Sequence, residues 1–512
     1  MGDMNFPDPN TTTEHYGWEW DSEKWVKWGS PLDPDSTKVV ASGAMATGEM
    51  VVLNSDGTAS VVSEIEATGA TGVFQTERTD RPVCAYDPDT GKLVVFYGSE
   101  VKETKAVVAT ISGSTLSFGD PVLIHSTNMV KVAGCLYDPD SKNILLFSEG
   151  HVSAVSVSGD TLSVSPRAFI AVAGASQSVV YDPDQKRFLF AFLDDRNSYY
   201  GTALVGKMTG VGRDMEWSPE TIFRSERAGE IGGMSYDPSN KKIVLAYSAS
   251  AQPASSVYGQ TATISGDAVT FGDQAELVTA PNYFTARFPH CAYDDVSGKT
   301  VVTFYNSYYA SQPGSPTIKT GMAVAVSMSG TALTAGPVVD IYSASVPTGA
   351  DPHVWPLNVP SGGVLAVYGN GDRGNSIRAK PLIVVGDTIQ VGGELLISDT
   401  PSADFRPIYV EDLRGTVASY GVDGTFVGTL TYFSEGGTNL TQSNFMGVSK
   451  GDFTDGKEAR VQFRGINSDQ SGMTVGTQYI QNDGSLDTTE GTPSVSAGTA
   501  ISATELNIKD SV

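Results

Sequence analysis

One phrase, Tyr-Asp-Pro-Asp between two apolar runs, recurs along the chain and limits its fold more than any other feature. In the first copy an apolar run ends at Tyr86, Asp-Pro-Asp follows at residues 87–89, and Lys92 opens the run Leu-Val-Val-Phe-Tyr. Asp at the first position of a turn accepts backbone hydrogen bonds, and Pro at the second position presets φ for a type I turn. Gly91 can adopt the left-handed conformation that returns the chain. Each copy of the phrase therefore predicts an antiparallel β-hairpin.

The phrase belongs to a repeat of long period. The tyrosines of the five clear copies, 44 to 57 residues apart, are Tyr86, Tyr137, Tyr181, Tyr236 and Tyr293. Two weaker copies follow at residues 354–358 and 406–410. After the hairpin come an apolar strand, a Ser-Gly or Gly-Asp turn and another strand, for example at residues 264–272. The repeating unit therefore holds four antiparallel strands.

Four antiparallel strands in a period of roughly fifty residues are typical of a β-propeller blade. Seven units fit between about residue 67 and residue 440. We therefore predict an all-β fold, a seven-bladed β-propeller of four-stranded blades with small β-rich N- and C-terminal flanking modules. The alternatives are a β-solenoid and a string of sandwiches. Solenoid repeats are usually shorter, and no linker-like stretch separates the units, so the propeller is favoured.

The two ends of the repeat region predict how the ring closes. The last copy has no clear fourth strand, whereas residues 67–77, upstream of the first copy, have the pattern of an outer strand. Pairing of these two ends would close the ring and remove an exposed edge. The predicted domains are a Trp-rich N-terminal segment at 1–30, a short β-hairpin module at 31–66, the propeller at 67–440 and a C-terminal β-module at 441–512. Both flanks are expected to pack beside one blade.

Charge and composition exclude several classes of partner. The chain has 58 acidic and 33 basic side chains, so its formal net charge is −25. Such a charge disfavours nonspecific binding to nucleic acid or to an anionic membrane surface. No apolar run reaches the roughly 18 residues of a membrane-spanning helix, and the amino terminus lacks the pattern of a secretion signal. We expect no nucleic acid partner and no membrane insertion.

The three cysteines occupy equivalent places in the repeat. Cys84, Cys135 and Cys291 each stand two residues before a repeat tyrosine. Equivalent positions of different blades are expected to be too far apart for a disulfide. The thiols are interpreted as small buried hydrophobic groups rather than as metal ligands or redox centres.

Tryptophans are concentrated near the amino terminus. Four of the six in the chain are Trp18, Trp20, Trp25 and Trp28. Their alternation around residues 21–22 predicts a small hairpin with aromatic side chains on one face. A unit of this size cannot bury four indoles alone. They are predicted either to anchor the chain in a partner protein or to form a sugar platform, or else to pack on its own later domains.

The flanks carry a resemblance to a known class of protein. The stretch SGAMATGEMVVLNSDGT at residues 42–58 resembles one found in virion structural proteins of tailed bacteriophages, and so do NFMGVS at 444–449, GTQYIQNDG at 476–484 and AGTAISATELNIK at 497–509. Proteins of this tail-fibre or tail-associated type are similar in carrying Tyr-Asp repeats between such flanks. The resemblance covers nearly the whole length. It implies a place in the phage particle, after a soluble stage in the host cytoplasm, and no catalytic residues.

Loop composition suggests where a propeller of this kind would bind ligands. The Asp-Pro-Asp and Ser-Gly turns lie on one face, the turn face, and the longer and more varied loops lie on the opposite face, the variable rim. Aromatic rings amid Asp and Arg suit sugars, so the candidate binding residues are Asp195, Arg196, Tyr199, Tyr200, Tyr283, Phe284, Tyr308, Tyr309, Asp372 and Arg373. Ordinary turn composition with aromatics packed on adjacent loops is the alternative.

Catalytic motifs are lacking in the sequence. It contains no nucleophile elbow, no phosphate-binding glycine loop and no His-Glu-x-x-His, and its five histidines have no metal-ligand spacing. No cofactor and no metal are expected. The sequence thus favours a non-enzymatic virion protein that forms homo-oligomers and contacts other virion proteins or host polysaccharide. A glycan-degrading tail enzyme, with carboxylates from distant blades, and an architectural or head-decoration protein remain the alternatives.

Overall fold

The computed structural model describes most of the chain and divides it into two compact units. One unit combines Met1–Ala67 with Gly436–Val512, and the other is Thr68–Glu435. The described residues are 15–19, 24–28, 35–54, 56–65, 69–126, 132–148, 150–170, 176–209, 214–249, 256–279, 284–308, 317–346, 353–360, 363–370, 376–400, 405–422, 425–434, 437–441, 444–491 and 494–508. Apart from short 3-10 turns at Asp195–Asn197 and Glu411–Leu413, the regular structure in these ranges is strand. No helix in them has the length and apolar character of a membrane span.

The unit 68–435 is a β-propeller, as the repeat predicts. Each blade begins with an inner strand, and these are, in blade order, Gly69–Asp87 (through its residues 79–87), Val132–Asp138, Gln177–Asp182, Thr221–Asp237, Phe284–Asp294, Val354–Val359 and Phe405–Val410. Each inner strand contacts the inner strand of the next blade, and the last contacts the first. The described strands therefore form a closed ring.

The second and third strands complete an antiparallel meander in each blade. The second strands are Lys92–Ser99, Asn143–Ser148, Arg187–Asp194, Lys242–Ala249, Lys299–Tyr308, Gly363–Asn370 and Gly415–Gly421. The third strands are Thr104–Ser112, His151–Ser158, Tyr200–Thr209, Val257–Ser265, Thr317–Ser329, Ser376–Val385 and Val427–Ser434.

The outer strand of a blade is interrupted. In blade 1, Thr115–Phe118 pairs with one half of the third strand and Val122–His125 with the other half, both antiparallel. The corresponding pairs in blades 2 to 6 are Thr161–Val164 with Ala168–Phe169, Asp214–Trp217 with the start of Thr221–Asp237, Ala268–Phe271 with Ala275–Val278, Ala332–Ala335 with Val339–Val346, and Thr388–Val391 with Leu395–Ser398. The sequence indicated one strand at this place.

The outer strand of blade 7 comes from the other end of the repeat region. Residues 69–78 pair antiparallel with residues 427–433, and the chain then continues without a break into the inner strand of blade 1. The hydroxyls of Thr71 and Thr431 lie 3.0 Å apart across this seam. The Phe74 ring, 7% exposed, packs against Tyr97 of blade 1 at a centroid distance of 5.2 Å. The two ends of the ring are thus joined by a hydrogen-bonded ladder and a shared core.

A hydrophobic cluster lies between each pair of adjacent blades, which gives seven clusters in the described part of the ring. Neighbouring residues of a second strand belong to different clusters, because their side chains point to opposite faces of the blade. Val94 packs toward blade 2, whereas Leu93 and Val95 pack toward blade 7. Both faces of the second strand are therefore buried, which explains why its sequence is a continuous apolar run and not an alternating one.

The repeat tyrosines connect the blades on the turn face. The hydroxyl of Tyr137 donates to Asp89 in the turn of the preceding blade at 3.0 Å, and that of Tyr181 donates to Asp140 at 3.1 Å. Tyr236 bonds in the same way to Asp184 at 2.8 Å. We name this series of contacts the tyrosine belt. These contacts give a role to the second Asp of the Asp-Pro-Asp phrase. Its carboxylate accepts a hydrogen bond from the tyrosine hydroxyl of the next blade.

Lysines strengthen the tyrosine belt. Lys142 lies 3.0 Å from Asp89, and Lys186 lies 2.6 Å from Asp140. Both lysines have a left-handed backbone, with φ of 55° and 54°, at the turn position that Gly91 fills with φ of 66° in blade 1. A left-handed non-glycine residue is disfavoured by roughly 1 kcal/mol. The ion pair across the blade interface offsets part of that cost.

Acid is expected to weaken the tyrosine belt. The Lys142 ammonium and the Tyr137 hydroxyl hold the pKa of Asp89 below its ordinary value, and similar contacts lower the pKa of Asp140 and Asp184. A carboxyl group with a depressed folded-state pKa stabilises the fold above its unfolded pKa, about 4, and this contribution is lost as pH falls through the folded pKa. Calorimetry between about pH 2.5 and pH 7 should show a smaller acid-induced fall in Tm for D89N/D140N/D184N than for the wild type.

A matched triple variant controls for the change in net charge. Asp120, Asp273 and Asp340 are exposed carboxylates outside the tyrosine belt, so D120N/D273N/D340N should keep the wild-type acid response. Parallel Tm curves for the wild type and the belt variant would contradict a role for these carboxylates in acid sensitivity.

The second unit is also built from strands. Ser36–Val40, Met50–Leu53 and Ala59–Val61 share one five-stranded sheet with Phe445–Ser449 and Glu458–Gln462. A second five-stranded sheet holds Gly465–Asn467, Gly476–Ile480, Leu486–Asp487, Ser496–Ala500 and Leu506–Ile508. Two-stranded pairs join Glu64–Ile65 to Gly437–Thr438 and His15–Glu19 to Lys24–Trp28. The two flanks of the propeller therefore belong to one folded unit.

Candidate functional site

One layer of side chains around the propeller axis is uneven. The residue three places before the repeat tyrosine, or before its substitute, lines a cavity of about 200 Å³ in every blade. In blade order these residues are Val83, Gly134, Ser178, Gly233, His290, Trp355 and Arg406. Blades 1 to 4 thus contribute small side chains, and blades 5 to 7 contribute large polar or aromatic ones. The cavity exists because the small half of the layer leaves space beside the large half.

The three large side chains form a stack in ring order. The rings of His290 and Trp355 lie 3.9 Å apart between centroids, at an interplanar angle of 27°. The guanidinium carbon of Arg406 lies 5.4 Å from the centre of the Trp355 ring. Stacking and cation–π attraction therefore hold the imidazole and the guanidinium on the same indole.

The tautomer of His290 follows from its partners. Its Nδ1 lies 3.0 Å from the backbone oxygen of Gly232, so Nδ1–H donates, and its Nε2 lies 3.3 Å from Nδ1 of His353. Burial above all, and then His353 and Arg406, lower the pKa of His290 well below its ordinary value. The neutral ring must then accept at Nε2 from Nδ1–H of His353.

An ion pair occupies the variable-rim side of this layer. Arg287 donates from Nε and Nη2 to Glu230 Oε1, at 3.0 and 2.5 Å. The other oxygen of Glu230 accepts from the backbone N–H of Phe288 at 2.8 Å. The Phe288 ring in turn lies 4.4 Å from that of His353. The inner strands of blades 4 and 5 are thus tied together beside the histidine pair.

All three cysteines line the same cavity as neutral thiols. Burial raises the pKa of Cys84 and of Cys291 to about 12, and it raises that of Cys135 well above its ordinary value. A thiol with so high a pKa is a poor nucleophile and a poor metal ligand at neutral pH. Among the residues that the structure describes, no group of three or more His, Cys, Asp or Glu is arranged to hold a metal ion.

Four of the predicted rim residues lie together on the hairpin between the second and third strands of blade 3. Asp195 and Arg196 lie in the 3-10 turn, where Arg196 donates to Asp194 at 2.8 Å and to Glu220 at 2.6 Å. Tyr199 is exposed, with the Arg227 guanidinium 5.1 Å from its ring centre. The next residue, Tyr200, begins the third strand. The Arg196 side chain is therefore used to fasten the hairpin, and these four residues do not line the axial cavity.

The other predicted residues are described only in part. Tyr283, Tyr309, Asp372, Arg373 and Trp20 lie outside the described residues. The backbones of Phe284 and Tyr308 are paired with each other in blade 5, and those of Trp18 and Trp25 are paired in the N-terminal hairpin, whose second strand ends at Trp28. The proposals for these residues remain predictions.

The sequence contained a signal for the axial layer. Aligning the seven repeats on the tyrosine and reading the third residue before it gives the whole layer, with its change from small to large side chains after blade 4. Metal-ligand spacing does not mark this layer, because His290 and His353 come from successive blades, 63 residues apart.

The chain resembles a number of solved structures, among them the following three. The periplasmic gluconolactonase PpgL of Pseudomonas aeruginosa aligns with a TM-score of 0.46 and 12% identity, over 72% of this chain and 96% of that chain. A putative 6-phosphogluconolactonase from Bacteroides uniformis aligns with a TM-score of 0.41 and 12% identity, over 71% and 97%. Sqt1 of Saccharomyces cerevisiae aligns with a TM-score of 0.40 and 7% identity, over 76% and 99%. No protein-family model and no curated protein matches the chain.

These comparisons correct the expected function. They contradict the prediction of a non-enzymatic virion structural protein, since two of the three structures are named as lactonases and none is named as a virion protein. Of the functional and structural terms predicted, only the β-propeller is supported. The identities and TM-scores are too low to transfer an activity, so the function has to be inferred from the propeller itself.

Proposed function

We propose that the axial cavity binds a small organic carboxylate and that Arg406 is the cation that holds it. The observation that carries this proposal is the position of the Arg406 side chain, which lines the cavity while the Trp355 ring supports it. A guanidinium is planar and presents paired donors that match the two oxygens of a carboxylate.

Electrostatics favours an anion at this place. His290 is neutral, and the cavity thiols are neutral. The charge of Arg287 is balanced by Glu230, in which both oxygens accept hydrogen bonds from blade 5. Among the described residues that line the cavity, Arg406 is the one with a permanently charged side chain. A cation at a site of low dielectric attracts a carboxylate more strongly than one in water does.

The size and walls of the cavity define the ligand further. Its volume of about 200 Å³ exceeds that of an engineered apolar cavity of roughly 150 Å³ that accepts benzene. Val83, Val179 and Met234 line it opposite the large side chains. A ring-sized or shorter monocarboxylate with an apolar body fits these walls. No covalent step is proposed, because both nitrogens of His290 are engaged by Gly232 and His353.

Replacing Arg406 by Met should weaken carboxylate binding by roughly ten- to a hundredfold, since a hydrogen bond to a charged group contributes about 1.5–3 kcal/mol. Isothermal titration calorimetry with a panel of small monocarboxylates and their uncharged primary amides measures this effect. The wild type should bind at least one acid more tightly than its amide, and R406M should bind the two alike.

The matched control is R464M. Arg464 belongs to the other compact unit and pairs with Asp35 at 2.8 Å, so its removal should leave the affinity of the propeller unchanged. Equal affinity of the wild type for acid and amide, or unchanged binding by R406M, would overturn the proposal.

A further inference from the structure

The tyrosine belt has one substituted position, and a second cavity lies beside it. The residue that corresponds to the repeat tyrosine in blade 6 is Asn358, which pairs with Val364 as Tyr86 pairs with Leu93 in blade 1. Asparagine is much smaller than tyrosine. A cavity of about 510 Å³ opens here on the turn face. It is lined by Ser235, Tyr236, Tyr293, Asp295, Asn358 and Tyr409, with apolar side chains between them.

Asn358 takes over the belt contact but leaves an acceptor unused. Its Nδ2 donates to Asp295 in the turn of blade 5, as the tyrosines donate to the turns that precede them. Its Oδ1 is buried and has no hydrogen-bond partner among the described residues. The substitution of Asn358 for the repeat tyrosine therefore keeps the contact with the preceding turn and leaves space beside it.

The lining selects for a ligand rich in hydroxyl groups. The Asp295 carboxylate is an acceptor, and Ser235 adds a hydroxyl. Tyr236, Tyr293 and the prolines at 238 and 356 offer aromatic and aliphatic surface for C–H groups. No lysine or arginine is present among the residues that line the cavity, and the chain carries a net charge of −25, so an anion is disfavoured.

We propose that this cavity binds one neutral pyranose sugar, with a hydroxyl donating to the Asp295 carboxylate and the ring packed on the tyrosines. The volume lies within the range of about 300–1,000 Å³ that small-molecule sites occupy. The site shares Cys291, Pro356 and Ile408 with the axial cavity, so the two adjoin, but it uses neither Arg406 nor its charge. It therefore does not depend on the proposed carboxylate function.

The test restores the repeat. N358Y places a tyrosine where five blades already have one beside the preceding turn, so it should narrow the cavity without preventing folding. Saturation-transfer NMR and calorimetry with D-glucose, D-galactose, D-mannose and N-acetyl-D-glucosamine measure binding to the full chain. The wild type should bind at least one of these sugars, and N358Y should lose about tenfold or more in affinity while its Tm stays at or above the wild-type value.

The control is N482Y, the same substitution in a turn of the other compact unit, which should bind the sugar like the wild type. N358D keeps the size of the side chain and adds a charge beside Asp295, so it should weaken binding without filling the cavity. Absence of binding of all four sugars to the wild type, or equal binding by N358Y, would overturn the proposal. Because these sugars are uncharged, failure here would leave the carboxylate result unaffected, and the reverse also holds.

Discussion

Deletion of residues 1–78 should abolish the cooperative thermal transition of the propeller, whereas deletion of residues 1–68 should preserve it. The ten residues that differ include the outer strand of blade 7, which pairs with 427–433. Without them the third strand of blade 7 becomes an open edge, and the seam with blade 1 loses Phe74 from its core. Differential scanning calorimetry of the two truncations measures the effect of residues 69–78 alone, because both truncations lack residues 1–67 of the other unit.

A point variant tests the same seam in the full chain. Phe74 is 7% exposed and packs on Tyr97 and Phe118. Its replacement by Ala should destabilise the propeller by about 3–5 kcal/mol, the usual cost of removing a buried Phe side chain. The control is V73A, since Val73 lies in the same strand but is 50% exposed. A cooperative transition that survives deletion of 1–78 at the wild-type Tm would show that the ring does not depend on this pairing.

The local part of the fold is readable from the sequence because the turns and strands are local. Asp87 accepts from the backbone N–H of Asp89 at 3.0 Å, and Gly91 has φ of 66°, as the turn chemistry of the phrase predicts. The continuous apolar run after the turn is buried on both faces, which a blade between two neighbours requires. These features depend only on residues close together in the chain.

The contacts between blades were not readable in the same way. The hydroxyl of Tyr137 reaches Asp89, 48 residues earlier, because blade packing brings each inner strand beside the preceding turn. The sequence showed a tyrosine followed by this second Asp in three of the five clear repeats, but it did not show that the tyrosine of one blade bonds to the Asp of the preceding blade. The left-handed backbone of Lys142 and Lys186 is likewise explained only by their ion pairs with Asp89 and Asp140 of the preceding blades.

The candidate site was missed for a related reason. The sequence drew attention to loops rich in Tyr, Asp and Arg, and in blade 3 the structure shows Arg196 fastening such a loop through Asp194 and Glu220. The axial cavity instead depends on side-chain size at one position of each inner strand. His290, Trp355 and Arg406 meet because they occupy successive blades, and that relation becomes visible in the sequence only when the seven repeats are aligned with one another.

Gly232 joins the fold to the site, and its replacement by Ala should be among the most damaging single changes in the propeller. A Cβ at this position would lie 1.7 Å from the backbone oxygen of Pro289 in the next inner strand, and 2.6 Å from its carbonyl carbon. Backbone atoms cannot move aside as a flexible side chain can, so blades 4 and 5 would have to separate. We expect a loss of at least about 3 kcal/mol, which lowers Tm by roughly 5 °C or more.

The same substitution should impair ligand binding. The backbone oxygen of Gly232 accepts from His290 Nδ1, and His290 stacks on the indole that supports Arg406. Displacing the Gly232 backbone would therefore disturb the stack and weaken carboxylate binding even at temperatures where G232A is folded. Calorimetric Tm and titration with the carboxylate panel together separate these two effects.

Gly393 provides the matched control, because a Cβ there would meet no atom within 4 Å and its φ is not left-handed. G393A should remain within about 0.5 kcal/mol of the wild type, since a surface substitution of this kind usually changes stability little. If G232A had the same Tm as G393A and bound the same ligands, the inner strands of blades 4 and 5 would have to lie farther apart than the structure places them. The assignment of His290, Trp355 and Arg406 to one rigid layer would then fail as well, because its geometry depends on that seam.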